Sequence, residues 1–256
     1  RGVVEPQRSL GGEQVEGRQA VRELLAAGRR RVRALYMSED QDPSPLLGEI
    51  ADLANAGRVP VRLVGRGLLA AMARTDAPQG VIAQADALPE SDLADLTATV
   101  DERPPFLLLL EGVTDPHNLG ALARSADGAG VTGLVLPRHR AVHVTPTAAK
   151  AAAGAVEHLP MALVPGIAGA LSELRKAGVW TVGLDAEADS SLFDLTLASE
   201  PVALVVGAEG PGLSRLSRSR CDVVVRIPQS GALRSLNVSV AGALACYEVA
   251  RRRAPR

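Results

Sequence analysis

The sequence predicts an α/β protein with a small N-terminal α/β unit and a larger C-terminal unit built on a parallel sheet. Its 256 residues are enough for about two domains. Hydrophobic residues make up 46% of the chain and charged residues 22%, which is ordinary for a folded protein. After Pro104-Pro105, short apolar runs alternate with helical patterns, and this order favours a parallel sheet covered on both faces. We predict a loose tail over 1–13, the small unit over 14–86, an acidic linker over 87–103 and the larger unit over 104–256.

Local patterns predict each element of the small unit. Residues 17–27 place Val21, Leu24 and Leu25 on one face of a helix. The remaining pattern predicts a strand over 33–37, a helix over 45–56 ended by Gly57, a strand over 59–64, a short helix over 67–73 and a strand over 80–85. The linker follows from five acidic residues and two closing prolines, which resist regular structure.

The larger unit alternates strands with helices and shows no internal repeat. The predicted strands are 106–110, 133–136, 179–184, 202–206 and 223–227. The predicted helices are 116–127, 148–153, 167–177 and 237–252.

Composition excludes several classes of protein. The longest apolar runs are far shorter than the ~20 residues that span a bilayer, and we expect no secretion signal. Cys221 and Cys246 lie far apart, which excludes a disulfide scaffold and favours a reducing, cytoplasmic setting. Net charge is −1, but residues 205–256 hold nine arginines against three acidic residues. A basic segment of this kind is compatible with nucleic acid without requiring it.

Three loops hold residues whose presence is not explained by a purely structural role such as capping a helix. After strand 106–110, Asp115 and Pro116 fit a helix start, but this leaves Asn118 and Arg124 unexplained. These two residues are six apart, so they lie about 120° apart around the helix and share no stripe. Ligands bind at the carboxyl ends of strands in open α/β sheets, and the loop follows such an end.

The second loop, 207–213, holds three glycines and Glu209 directly after strand 202–206. Glycines let the backbone approach a ligand closely. The third loop places Ser235 and Asn237 before the last helix, where capping needs only one of them. We therefore expect both loops to hold a ligand.

Other sites are not supported. The Gly-x-Gly-x-x-Gly string at 128–133 follows a helix and precedes a strand, the reverse of a dinucleotide fingerprint. His139 and His143 have no evident third ligand, so we expect no metal. We find no Gly-x-Ser-x-Gly elbow and no Walker lysine motif.

Taken in order, the three loops resemble the SpoU/TrmH family of RNA ribose 2′-O-methyltransferases, within the SPOUT superfamily. The resemblance spans about 104–256 and rests on three motifs, DPHNLGALARSADGAGV (115–131), LVVGAEGPGLSRLSRSRCDVVVRIP (204–228) and SLNVSVAGALACYEV (235–249). Residues 16–32, EGRQAVRELLAAGRRRV, are similar to the substrate-binding domain of a branch that methylates a guanosine of large-subunit ribosomal RNA.

The resemblance implies a SPOUT domain with a deep trefoil knot, a homodimer with the site near the subunit interface, and S-adenosylmethionine as cofactor. It implies RNA as substrate and a ribosomal-protein-like fold for the small domain. The residues it implies for the cofactor are Gly207, Gly212, Leu213, Ile227 and Leu236.

The catalytic residues implied by the resemblance are Asn118, Arg124, Glu209, Ser235 and Asn237. A guanidinium stays protonated, so we expect Arg124 to hold a phosphate and stabilise alkoxide charge instead of acting as a base. Asn118 and Ser235 would orient Arg124 or the ribose. Arg234 and the arginines of 215–220 are predicted phosphate contacts.

Four alternatives remain open. The same chemistry on transfer RNA is the closest rival, although the N-terminal domain argues against it. A resistance methyltransferase acting on the ribosome cannot be separated by sequence. A non-catalytic RNA-binding assembly factor and a nicotinamide-dependent oxidoreductase are the remaining classes.

Overall fold

The structure is a computed structural model that describes residues 9–139, 141–232 and 235–254. Within these ranges the strands are β1 (Gln14–Glu16), β2 (Val32–Ser38), β3 (Val61–Val64), β4 (Val81–Ala85), β5 (Phe106–Leu110), β6 (Gly133–Pro137), β7 (Met161–Val164), β8 (Trp180–Leu184), β9 (Ser190–Ser191), β10 (Val202–Val206) and β11 (Val223–Arg226). The helices are α1 (Arg18–Ala27), α2 (Pro45–Ala56), α3 (Arg66–Met72), α4 (Pro116–Gly128), α5 (Pro146–Ala151), α6 (Ile167–Lys176), α7 (Arg215–Arg220) and α8 (Val238–Arg253). No helix of the described ranges is long and apolar enough to span a membrane.

The strands form two sheets, one in each unit. The small sheet has the order β1-β4-β2-β3 and mixes antiparallel with parallel pairs. The large sheet has the order β7-β6-β5-β10-β8-β11-β9, and all of its recorded pairs are parallel. The predicted mixed α/β architecture with a C-terminal parallel sheet is confirmed.

Continuous apolar strands explain why the large sheet is buried on both faces. Every residue of β5 is buried, and successive side chains point to opposite faces. Leu108 and Leu110 join one core, which packs against α4 and α8, whereas Leu107 and Leu109 join the other, against α6.

Local caps fix where helices start. At α4 the Asp115 carboxylate accepts the His117 backbone N–H at 2.8 Å, and Pro116 occupies the first turn.

Residues 9–13 are the described part of the predicted loose tail, and they pack against the rest of the protein. Leu10 is fully buried, and its carbonyl accepts the Val144 backbone N–H at 2.8 Å. The acidic segment after β4 also packs closely, since the Ser91 N–H donates to the Met161 carbonyl at 2.8 Å. The Leu88 and Leu96 side chains of this segment are buried. The linker was predicted from its acidic residues, and a count of charges does not show that these leucines pack into the protein.

Several short elements were not predicted. β7 has four residues next to a proline, and β1 and β9 have three and two. Such runs are too short to show periodicity, and partner strands distant in sequence stabilise them. The α7 segment reads RLSRSR and lacks an apolar stripe, so its helix depends on the Ser214 hydroxyl, which accepts the Ser217 N–H at 3.1 Å.

A buried ion pair joins the two units. Arg30, after α1, donates from Nη2 to Oε1 of Glu157 at 2.6 Å and from Nε to Oε2 at 3.0 Å. The two side chains are 3% and 1% exposed. A forked contact in this setting fixes the orientation of the partners as well as joining them.

Removing one partner of this pair should destabilise the protein strongly. We expect Glu157→Ala to lower the free energy of unfolding by about 3 kcal/mol, because it leaves the Arg30 charge buried and unpaired. The matched control is Glu49→Ala, which removes a half-exposed partner of Arg22 and should cost under about 1 kcal/mol. Urea unfolding of both variants checks this, and equal losses would contradict it.

Candidate functional site

A cleft opens at the carboxyl edge of the large sheet, where β10, β8 and β11 end side by side. Counting its open side, the empty space is about 670 Å³, in the range of small-molecule sites. Six predicted site residues line it, namely Gly207, Glu209, Gly212, Ile227, Ser235 and Leu236. The three segments that the sequence separates therefore meet at one edge.

The glycine loop after β10 is closed on itself. The N–H groups and carbonyls of Ala208 and Gly212 form two hydrogen bonds with each other, at 3.0 and 2.9 Å. A Cβ at Gly207 would lie 2.1 Å from the Gly212 carbonyl carbon, and no backbone accepts such a contact. Gly210 and Gly212 have φ of +83° and +69°. Glycine is thus required at 207 by the loop itself, before any ligand is considered.

The loop is anchored at its far end by Glu111 and Leu213. The Glu111 carboxylate, directly after β5, accepts the Ser214 N–H and hydroxyl at 2.9 Å each and the Ser217 hydroxyl at 2.6 Å. The Leu213 side chain is buried in the core under the sheet and does not line the cleft. The Leu213 side chain therefore holds the loop from below, and the role of Leu213 as a cofactor contact stays a prediction.

Three predicted catalytic residues are connected by hydrogen bonds. The Asn118 amide donates from Nδ2 to Glu209 Oε2 at 3.4 Å and accepts at Oδ1 from Asn237 Nδ2 at 3.1 Å. Asn237 caps α8, and its Oδ1 accepts the Ser239 N–H at 2.9 Å. Asn118 is 7% exposed, so its amide is committed to these partners. The pair therefore ties the first and third loops to the glutamate of the second.

Arg124 does not reach this cleft in its own chain. Its exposed side chain lines a different cleft, between α4, α5 and the loop that precedes β4. The angle between positions 118 and 124 explains the separation, because one faces inward and the other faces solvent. Within the described residues Arg124 makes no hydrogen bond or ion pair.

Sequence reasoning missed Asp185 and Ala186, which follow β8 and line the cleft. It also missed Glu111, which anchors the glycine loop through Ser214 and Ser217. Asp185 and Ala186 reach the cleft because β8 lies beside β10 in the sheet, and local sequence patterns do not indicate which strands are neighbours. Glu111 carried a usable signal, since it is an acidic residue directly after a fully apolar strand. Of the predicted phosphate contacts, Arg215, Arg218 and Arg220 lie on α7, and Arg234 lies outside the described residues.

Both cysteines are unsuited to nucleophilic chemistry. Burial raises the pKa of Cys221 to about 12, with the Asp222 and Glu111 charges adding to the effect. Burial also raises the pKa of Cys246 to about 12. Only a thiolate attacks efficiently, so these thiols are inert near neutral pH.

The Asn118 contacts can be tested by a nearly isosteric change. Asn118→Asp replaces the donor facing Glu209 by a second carboxylate oxygen, and like charges repel. We expect a loss of roughly tenfold to a hundredfold in kcat/KM, equivalent to about 1.4–2.7 kcal/mol. Asn55→Asp, at an exposed position of α2, is the matched control. Steady-state kinetics equal to the control would contradict the assigned contact.

Comparison with known proteins places these features in a wider set. A model of the SpoU rRNA Methylase family matches residues 105–247, and a model for RNA 2′-O ribose methyltransferase substrate binding matches 14–91. The chain is 39% identical over 244 residues to the 23S rRNA (guanosine-2′-O-)-methyltransferase RlmB of Escherichia coli K12, covering 94% of this chain and 99% of that protein.

Solved structures agree with the sequence relatives. The SpoU methyltransferase AviRb of Streptomyces viridochromogenes, in complex with AdoMet, superposes with a TM-score of 0.78 at 28% identity, over 94% of this chain and 90% of that one. The TrmH/SpoU tRNA modifying enzyme of A. aeolicus gives a TM-score of 0.53 at 26% identity, over 63% of this chain and 82% of that one.

Proposed function

Because this chain belongs to the SpoU rRNA methylase family, we propose that it transfers a methyl group from S-adenosylmethionine to the ribose 2′-hydroxyl of a guanosine in 23S ribosomal RNA. The observation that carries the proposal is the cleft at the carboxyl edge, where the glycine loop, Ile227 and Ser235-Leu236 meet beside the Asn118 hydrogen bonds. Its supports are the RlmB relatives, which match nearly the full length of both chains.

The cleft fits the proposed cofactor. Its walls are largely backbone and apolar side chains, from Gly207, Ile227 and Leu236, and these suit an adenosine. The carboxylates of Glu209 and Asp185 also line it and offer partners for cationic groups. When bound, S-adenosylmethionine supplies an electrophilic methyl group on a sulfonium.

The chain's own residues then have three tasks. Asn118 and Asn237 fix the first and third loops, so that the ribose and the methyl group can be held in line. Ser235 offers a hydroxyl at the cleft wall to orient the ribose. An arginine cation lowers the energy of the alkoxide that develops on the 2′-oxygen as its proton passes to water.

We assign that cation to Arg124 and propose a homodimer in which the partner's Arg124 completes the cleft. The support is an exposed apolar stripe on α8, where Val240, Leu244 and Tyr247 are 47%, 42% and 53% exposed at helical spacing. A second copy of the chain is a partner of matching chemistry for such a stripe. A single 26.5-kDa mass by sedimentation at micromolar concentration would refute the dimer.

The finer organisation is proposed with the same function. We propose a small RNA-binding domain over 14–86, an acidic linker over 87–103, a SPOUT domain over 104–256 with a deep trefoil knot, and action in the cytoplasm. The return of α8 onto α4, after the glycine loop and β11, supports the knot. An experimental density map traced through 207–254 would decide it.

Ribosomal RNA is favoured over transfer RNA by the size of the matches. The tRNA modifying enzyme of A. aeolicus corresponds to only 63% of this chain, whereas RlmB corresponds to 94%. The model for RNA 2′-O ribose methyltransferase substrate binding matches residues 14–91, which include the small N-terminal unit. We therefore assign recognition of ribosomal RNA to a composite of both units.

The test is transfer of labelled methyl groups to unmodified 23S ribosomal RNA and unmodified transfer RNA, side by side. We expect label in 23S ribosomal RNA alone. Label in transfer RNA alone would move the assignment to the rival substrate. Label in neither, with S-adenosylmethionine bound, would favour a binding protein without this activity.

A further inference from the structure

Glu16 on β1 is a fully buried carboxylate that no step of the proposed reaction uses. Its oxygens accept hydrogen bonds from Gln14 Nε2 at 2.7 Å, the Arg74 backbone N–H at 2.6 Å, and the Thr75 N–H and hydroxyl at 3.1 and 2.5 Å. Hydrogen bonds to an ionised carboxylate are stronger than hydrogen bonds between two neutral groups. They fix the loop between α3 and β4 to the edge of the small sheet.

Gly17 and Arg18, the next two residues, contact the same loop between α3 and β4 and the neighbouring helix α5 of the larger unit. The Arg18 backbone N–H donates to Gln79 Oε1 and its Nε donates to the Gln79 carbonyl, each at 3.0 Å. Lys150 of α5 donates to the carbonyl of Ala77. At Gly17, φ is +93° and a Cβ would lie 3.4 Å from Lys150 Cγ. The Glu16-Gly17-Arg18 segment thus holds loop 74–79 against the larger unit.

A cleft with a positive balance lies between this loop and helices α4 and α5. Counting its open side, it encloses about 1000 Å³. Arg74, Arg124 and Lys150 line it, against the single carboxylate of Asp76. Arg74 and Arg124 are exposed, and within the described residues neither guanidinium has a hydrogen bond or an ion pair. Two unengaged guanidinium forks in one cleft match the geometry of phosphate groups.

On the opposite side of Arg124, acidic side chains line the surface in place of basic ones. The depression there is lined by Asp127 and by Glu23, which contacts His158 at 2.8 Å. Carboxylates repel a phosphodiester backbone, so a polyanion would leave Arg124 toward Arg74 and not toward Glu23. The charges therefore define one direction for a bound strand.

We propose that the cleft between loop 74–79 and helices α4 and α5 binds the phosphodiester backbone of the substrate RNA. Arg74 and Arg124 contact phosphates, and Glu16 is the positioning residue that holds Arg74 in place. The inference rests on the proposed function in naming RNA as the polyanion. In the proposed dimer, a strand held by one chain meets the cofactor cleft of the other.

The first test compares Arg74→Ala with Arg31→Ala. Both remove an exposed guanidinium from the small unit, but Arg31 does not line the cleft. Binding of unmodified 23S ribosomal RNA is measured between about 50 and 200 mM salt. We expect Arg74→Ala to bind roughly tenfold more weakly, with a salt slope smaller by about one. We expect KM for RNA to rise in proportion, with kcat within about twofold.

The second test asks whether Glu16 acts through Arg74. Glu16→Gln presents an amide where the loop needs acceptors, so RNA affinity should fall while affinity for S-adenosylmethionine stays unchanged. In the Arg74→Ala background, Glu16→Gln should weaken RNA binding by less than about twofold, because coupled residues are not additive. Full additivity, or a loss that follows only a fall in Tm, would assign Glu16 a purely structural role.

Failure of this inference differs from failure of the proposed function. If the wild-type protein methylates 23S ribosomal RNA and Arg74→Ala binds it as tightly as Arg31→Ala, the cleft assignment is overturned. If the protein binds RNA with the predicted dependence on Arg74 but transfers no methyl group, the cleft stands as a binding site and the proposed activity fails.

Discussion

Arg124→Ala should lose methyl transfer by roughly a hundredfold to a thousandfold in kcat, the order seen when a group that stabilises developing negative charge is removed. Affinity for S-adenosylmethionine should remain nearly unchanged, because Arg124 lies outside the cofactor cleft of its own chain. Single-turnover methyl transfer and isothermal titration with S-adenosylmethionine measure the two quantities. Arg31→Ala is the control for loss of an exposed arginine.

Arg124→Lys separates charge from geometry. Lysine keeps the positive charge but presents a point ammonium in place of a planar fork, so we expect partial activity between wild type and alanine. Wild-type turnover by Arg124→Ala would remove this residue from the reaction altogether. Wild-type turnover by the lysine variant alone would reduce its role to charge.

The effect of Arg124 should also cross between chains. Coexpressed with Gly207→Ala, the Arg124→Ala chain should recover activity, because a mixed dimer contains one cleft and one arginine that are both intact. In a statistical mixture about a quarter of all sites would be competent. Persistent inactivity of verified mixed dimers would show that each arginine serves its own chain.

Gly207→Ala should abolish binding of S-adenosylmethionine, with an expected loss of at least about a hundredfold. The reason lies inside the loop, since the new Cβ would meet the Gly212 carbonyl carbon at 2.1 Å and force the closed turn open. Titration calorimetry on the folded variant measures the loss.

Gly210→Ala is the matched control in the same loop. Its φ is +83°, but no atom beyond Gly210 and its two chain neighbours lies within 4 Å of the added Cβ, so only backbone strain of about 1 kcal/mol is expected. Cofactor affinity should fall far less than at position 207. Equal losses at the two positions would show that the loop senses strain in general and not the close approach of its two ends.

Local sequence determined the elements with strong signals of their own. Helix α2 was predicted at its observed bounds, with Gly57 at its end, and in the structure the Ser44 side chain caps its start. Strands β5 and β10 were also predicted at their observed bounds, since five consecutive apolar residues in a sheet buried on both faces need no alternation. These elements already position the first two loops.

The rest depends on pairing between distant segments. Strand order places Asp185 at the cleft, and no pattern near Asp185 indicates β10 as its neighbour. Leu213 and Arg124 show the same limit at the level of side chains. The loop sequence contains Leu213, but only packing under the sheet turns it into the core. The helix that brings Asn118 inward turns Arg124 outward.

The position of the new methyl group separates ribose methylation from base methylation, and alkaline hydrolysis of labelled 23S ribosomal RNA reveals that position. A methyl group on the ribose oxygen blocks strand cleavage at that nucleotide, because the 2′-oxygen can no longer attack the adjacent phosphate. We expect the label in an alkali-stable dinucleotide that begins with guanosine. Label released in a mononucleotide would place the methyl group on a base and contradict ribose methylation.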